Sequence, residues 1–122
     1  MKYMFLLFNP EPAIPPTPEQ MAAEMPKWET FGQQTARWNY QSGGEALQPS
    51  ATATVVSVRD GKTMTTDGPF IDTKEQLGGY YVFDCRDLDQ AIEIAAKVPW
   101  APTGHIEVRP VIEFDQPPPS RP

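Results

Sequence analysis

Leu77-Gly78-Gly79-Tyr80-Tyr81-Val82-Phe83-Asp84 is the stretch that decides the fold. Its alternation places Tyr81 and Phe83 on one side of a strand and Tyr80 and Val82 on the other, so both sides are apolar. Lys2 to Phe8 repeats the pattern, with Tyr3, Phe5 and Leu7 on one face and Met4, Leu6 and Phe8 on the other. Strands that are apolar on both faces are covered on both faces and belong at the centre of a sheet.

Outward from these two strands, Asn9 to Pro16 holds four prolines and reads as an irregular connection. Thr17, Pro18 and Gln20 then start a helix, with a hydroxyl at the N-cap and an amide three residues on to reach back. Met21, Met25, Trp28 and Phe31 recur at helical spacing and continue towards Tyr40, with Gly43 and Gly44 as the expected end. Pro26 is expected to kink or split this helix, because it removes one internal bond and crowds the carbonyl of Ala22.

Thr52 to Val58 and Lys62 to Thr66 flank Asp60-Gly61, a strong two-residue hairpin signal. Asp67-Gly68-Pro69-Phe70 breaks the pattern, and Ile71 to Gln76 reads as a loop or a short extended piece. Asp87 and Gln90 cap a second helix, Leu88 to Val98, whose expected buried face is Leu88, Ala91, Ile92 and Ala95. Gly104 to Phe114 is the expected last strand, with His105, Glu107 and Arg109 on its polar face.

This order predicts an α+β fold: a ferredoxin-like sheet with two helices on one face plus an inserted β-hairpin. Two helices leave the other face bare, and its Tyr, Phe, Leu and Val side chains would be exposed in a single chain. The same face of a second copy would cover them, so a homodimer is expected. The alternative is cover by the hairpin and tail of the same chain. The domain is expected over residues 1–114, and residues 115–122 form a proline-rich tail read as disordered.

At 122 residues the chain suits one core, since two separate domains would each be marginal. The net charge of -6 is the wrong sign for gripping phosphates, which argues against nucleic acid. No run approaches the roughly 20 apolar residues of a spanning helix, and no signal-peptide cleavage pattern follows Phe8, so a cytoplasmic protein away from membranes is expected. A lone Cys85 and a lone His105 exclude a CxxC pair and an ordinary zinc site; no metal or cofactor is expected. GxxxxGK[ST], GxGxxG and GxSxG are all absent, which removes nucleotide-binding and serine-hydrolase readings.

Asp60-Gly61-Lys62, Thr66-Asp67-Gly68-Pro69-Phe70 and Asp72-Thr73-Lys74-Glu75-Gln76-Leu77-Gly78-Gly79-Tyr80-Tyr81 together resemble the signature of the DGPF branch of the YCII-related family. Gly43-Gly44-Glu45-Ala46-Leu47, Asp87-Leu88-Asp89-Gln90-Ala91 and Ile106-Glu107-Val108-Arg109-Pro110-Val111 extend the likeness along residues 1 to about 114. The resemblance implies a dimeric α/β barrel with a cleft near the dimer face. One related branch includes an enzyme that removes chloride from a hydroxylated aromatic ring, with a His and an Asp as its dyad. The first helix here carries neither residue, and Trp28 stands about where that His would fall.

Candidate site residues follow from chemistry. Asp67, at a strand end beside Gly68, either moves a proton or accepts backbone bonds in its own turn. Lys74 and Glu75 precede Gly78-Gly79, where a ligand can approach closely, or form a solvated pair. Arg109 clamps a carboxylate or pairs with Glu107 at the dimer face. His105, on the same face as Arg109, is a candidate to carry a proton or a surface residue beside Gly104 at the strand start. Trp28, Trp38, Tyr80 and Tyr81 stack on an aromatic ligand or serve as core. Two functions fit these residues: a small-molecule-binding protein or cofactor-free acid–base enzyme, and a non-catalytic dimeric module that contacts a protein partner. The second is suggested by family members found beside transcription sigma factors.

Overall fold

The computed structural model describes residues 1–36 and 41–114. It has β1 (Lys2–Pro10), α1 (Pro18–Ala36), β2 (Gln41–Ala46), a single 3-10 turn (Ser50–Thr52), β3 (Thr54–Arg59), β4 (Lys62–Asp67), β5 (Glu75–Asp84), α2 (Leu88–Ala95) and β6 (His105–Pro110). Four strands form one antiparallel sheet in the order β2-β5-β1-β6, with β3 and β4 as a separate hairpin. The doubly apolar strands β1 and β5 are therefore the two central ones, an α+β arrangement consistent with a ferredoxin-like fold.

One face of the sheet carries the core. Tyr3, Phe5 and Leu7 of β1 and Phe83 of β5 are buried with Phe31 of α1 and Ala91, Ile94 and Ala95 of α2, so both helices cover this face. Phe5 and Phe83 meet edge-on at 5.1 Å between ring centroids, a geometry that contributes roughly 0.5–1.5 kcal/mol beyond the area it buries. On the opposite face Met4, Leu6, Phe8, Tyr80 and Val82 are half-buried.

The helix starts are chemically defined. Thr17 Oγ1 accepts from Gln20 N at 3.1 Å while Thr17 N donates to Gln20 Oε1 at 2.9 Å, a reciprocal capping box. Asp87 Oδ1 accepts from Gln90 N at 2.9 Å; the Gln90 side chain accepts from Arg86 N rather than from the cap residue itself. Asp60 and Gly61, both at positive φ, turn the β3–β4 hairpin as expected.

Several expectations need correction. The first helix is described over Pro18–Ala36, and Gly43 and Gly44 lie in strand β2 rather than capping it; the expected continuation through residues 37–40, including Trp38 and Tyr40, lies outside the described residues. Pro26 sits inside one continuous helix. Ala22 and Pro26 are both exposed, so the carbonyl that loses its partner faces water. Met21 and Met25 are 58% and 54% exposed, and only the later turns of α1, at Phe31 and Thr35, are buried.

In α2 the buried face is Gln90, Ala91, Ile94 and Ala95, and Ile92 is exposed. That helix stops at Ala95, after which Lys97 N and Val98 N tighten onto carbonyls three residues back. Of residues 71–76, expected as a loop or a short extended piece, Glu75 and Gln76 are extended and pair with β1 as the start of β5. Strand β6 ends at Pro110, with Val111 N still donating to Lys2 O at 2.9 Å. The proline-rich residues 115–122 lie outside the described residues.

Candidate functional site

Trp28 of α1 and Trp100, from the turn after α2, meet edge-on at 5.7 Å and 83° over the end of the sheet. Beneath them the strands carry almost no side chains. Gly44 pairs with Tyr81 and Ala46 with Gly79, and Gly78 occupies the irregularity where β5 slips against β1. A Cβ built on Gly78 would lie 2.5 Å from Trp100 Cη2, so glycine is what allows the indole to rest on the strand. The result is a cavity of about 430 Å³ between α1 and the β2 edge. Its floor is Gly44, Gly78 and Gly79, and its walls include Trp28, Tyr81 and Trp100.

Burial pushes the Tyr81 phenol above its ordinary value, which keeps it a neutral hydroxyl across the physiological range. Among the described residues that hydroxyl makes no hydrogen bond, which leaves a polar handle in a mostly apolar lining that also includes Glu45 and Tyr80. Tyr80, one residue earlier and in register with Leu6 and Glu45, also borders the cavity, while strand alternation turns its side chain towards the face of Leu6.

The remaining sequence candidates separate into groups. Glu75 and His105 come together across β1, with His105 Nδ1 2.7 Å from Glu75 Oε1, the imidazole exposed and the carboxylate half-buried. Arg109 Nη2 donates to Glu107 Oε2 at 2.5 Å, two residues away on the same face of β6, and both are exposed in the single chain. Lys74 is exposed and lies outside the lining of this cavity.

Asp67 ends β4 opposite Thr54, also exposed and outside the lining of this cavity. The backbone bond expected two residues on is denied by Pro69, which has no N–H to donate. The turn is held instead by Gly68, at φ 95°, whose N–H donates to Ala53 O at 2.7 Å. Among the described residues, no three His, Cys, Asp or Glu side chains gather to hold a metal ion.

Sequence reading misses Trp100 and the role of Gly44. The signal for Trp100 is present in Pro99-Trp100, directly after a helix and before Gly104, where a large aromatic must find cover against the sheet. Gly44 reads as a helix stop because two adjacent glycines resemble a C-cap more than a strand.

A family model described as the YCII-related domain matches residues 1–115. An uncharacterized protein of Rhizobium meliloti (strain 1021) is 43% identical over 67 residues, a match that spans 53% of this chain and 54% of that relative.

Proposed function

The chain belongs to the YCII-related domain family, and from that premise we propose that it is a small-molecule-binding protein whose site, the cavity between α1 and the β2 edge, takes a flat, largely apolar ring. The observation that carries this reading is the perpendicular pair of Trp28 and Trp100 indoles walling a cavity beside Gly44. A ring laid beside Gly44 would meet one of the perpendicular indoles face-on and the other edge-on, the two favoured arrangements of aromatic groups. The Tyr81 hydroxyl supplies one hydrogen bond to fix orientation.

The open face of the sheet supports a homodimer within the same proposal. Met4, Leu6, Phe8, Tyr80 and Val82 present a continuous apolar surface with no layer of this chain's helices over it, and the same surface on a second copy matches it by symmetry. The runs Asp60-Gly61-Lys62, Thr66 to Phe70 and Asp72 to Tyr81 support the DGPF branch within the same proposal.

Saturation-transfer NMR with indole, and with cyclohexanol as a non-planar ring, tests the reading. Transfer to indole that exceeds transfer to cyclohexanol at least tenfold, and that Trp28→Ala abolishes, is the expected result. Equal transfer to the two rings contradicts it.

A further inference from the structure

A second cleft, of about 720 Å³, opens on the other face of the same sheet edge. It lies between the segment after β2, the loop around Phe70 and the ends of β1 and β5. Phe8, Leu47, Phe70 and Leu77 give it apolar walls, and Phe70 and Ile71 are 84% and 59% exposed, an unusual cost for side chains of that size.

Its polar lining is largely committed. Thr52 Oγ1 donates to Pro49 O and Thr73 Oγ1 to Glu75 O. The Gln76 amide donates to Ile71 O and Thr73 O, and Ser50 Oγ donates to Glu11. Glu75 is the one ionisable side chain in the lining. His105 engages its Oε1, and Oε2 makes no hydrogen bond among the described residues.

We infer that this cleft binds an apolar primary amine, with the ammonium on Glu75 Oε2 and the hydrocarbon body against Phe8, Phe70 and Leu77. A carboxylate only accepts hydrogen bonds, so the ligand must donate, and a charged donor makes the stronger bond. The net charge of -6 repels anionic ligands and attracts cationic ones. This site is separate from the aromatic cavity, because Phe8 and Leu77 face away from the helices whereas Leu7 and Tyr81 face towards them.

Calorimetric titration of the full chain at pH 8 with hexylamine, hexan-1-ol, hexanoate and methylamine tests it. Hexylamine is expected to bind at least tenfold more tightly than hexan-1-ol, with hexanoate and methylamine showing no binding. Glu75→Gln should weaken hexylamine at least tenfold and leave hexan-1-ol unchanged, while Phe70→Ala, at an exposed position that folding does not depend on, should weaken both. Equal affinity for the amine and the alcohol, no heat with millimolar hexylamine, or unchanged hexylamine binding in both variants would overturn the inference.

Discussion

Gly78 lies directly under the indole of Trp100, so close that a methyl group on its Cα would stand 2.5 Å from Cη2 and 2.6 Å from Cζ3 of that ring. The ring cannot keep its place if Gly78 gains a side chain. Gly78→Ala should therefore tilt Trp100 away, lower stability by about 1–3 kcal/mol as overpacking does, and remove indole binding. Chemical denaturation and the indole titration together check both effects.

Gly104 is more tightly placed. A Cβ there would stand 2.0 Å from Phe8 O and 2.8 Å from Asn9 Oδ1, and the nearer atom is backbone of a central strand. Gly104→Ala is expected to cost about 1–3 kcal/mol or more, because β1 or the entry to β6 must shift. The midpoint of urea unfolding should fall with little change in slope.

Phe83 is 1% exposed and contacts the rings of Phe5, Phe31 and Tyr81. Phe83→Ala should cost about 3–5 kcal/mol, a large share of the roughly 5–15 kcal/mol that holds such a domain together. Ile92→Ala, on the exposed side of α2, should change stability by about 0.5 kcal/mol or less.

Burial raises the Cys85 thiol from 9.0 to about 11, and the side chain is 1% exposed. Thiolate is the reactive form, so the native protein should resist iodoacetamide at pH 8 and react promptly once unfolded. Fast labelling of the native chain would contradict this.

The Asp87 carboxyl is held below its ordinary value, first by the hydrogen bond from Gln90 N and then by Arg86. Because the folded value is the lower one, the cap's contribution is present above the ordinary carboxylate range and is lost as pH falls through the lowered value. Asp87→Asn keeps an acceptor at the cap without the charge. The difference in Tm between wild type and this variant should be steady near neutrality and shrink in acid.

Central placement of β1 and β5 was legible because a strand that is apolar on both faces has to be covered on both, and the capping residues Thr17 and Asp87 and the turn at Asp60-Gly61 act locally. Strand β2 was not legible. Gln41-Ser42-Gly43-Gly44-Glu45-Ala46 has weak strand propensity and owes its conformation to pairing with β5, a tertiary effect. The site was only partly legible for the same reason: Glu75 and His105 are 30 residues apart in sequence and meet only because β5 and β6 both flank β1. Trp28 stands out as an aromatic candidate, but its partner Trp100 is supplied by the turn after α2, whose position no local pattern specifies.

The most direct test is the 1H-15N spectrum of the three tryptophan indole N–H groups during addition of indole, assigned with Trp28→Phe and Trp100→Phe. Binding in the aromatic cavity predicts saturable shifts of the Trp28 and Trp100 signals with one shared dissociation constant. Signals that stay fixed at millimolar indole would contradict it.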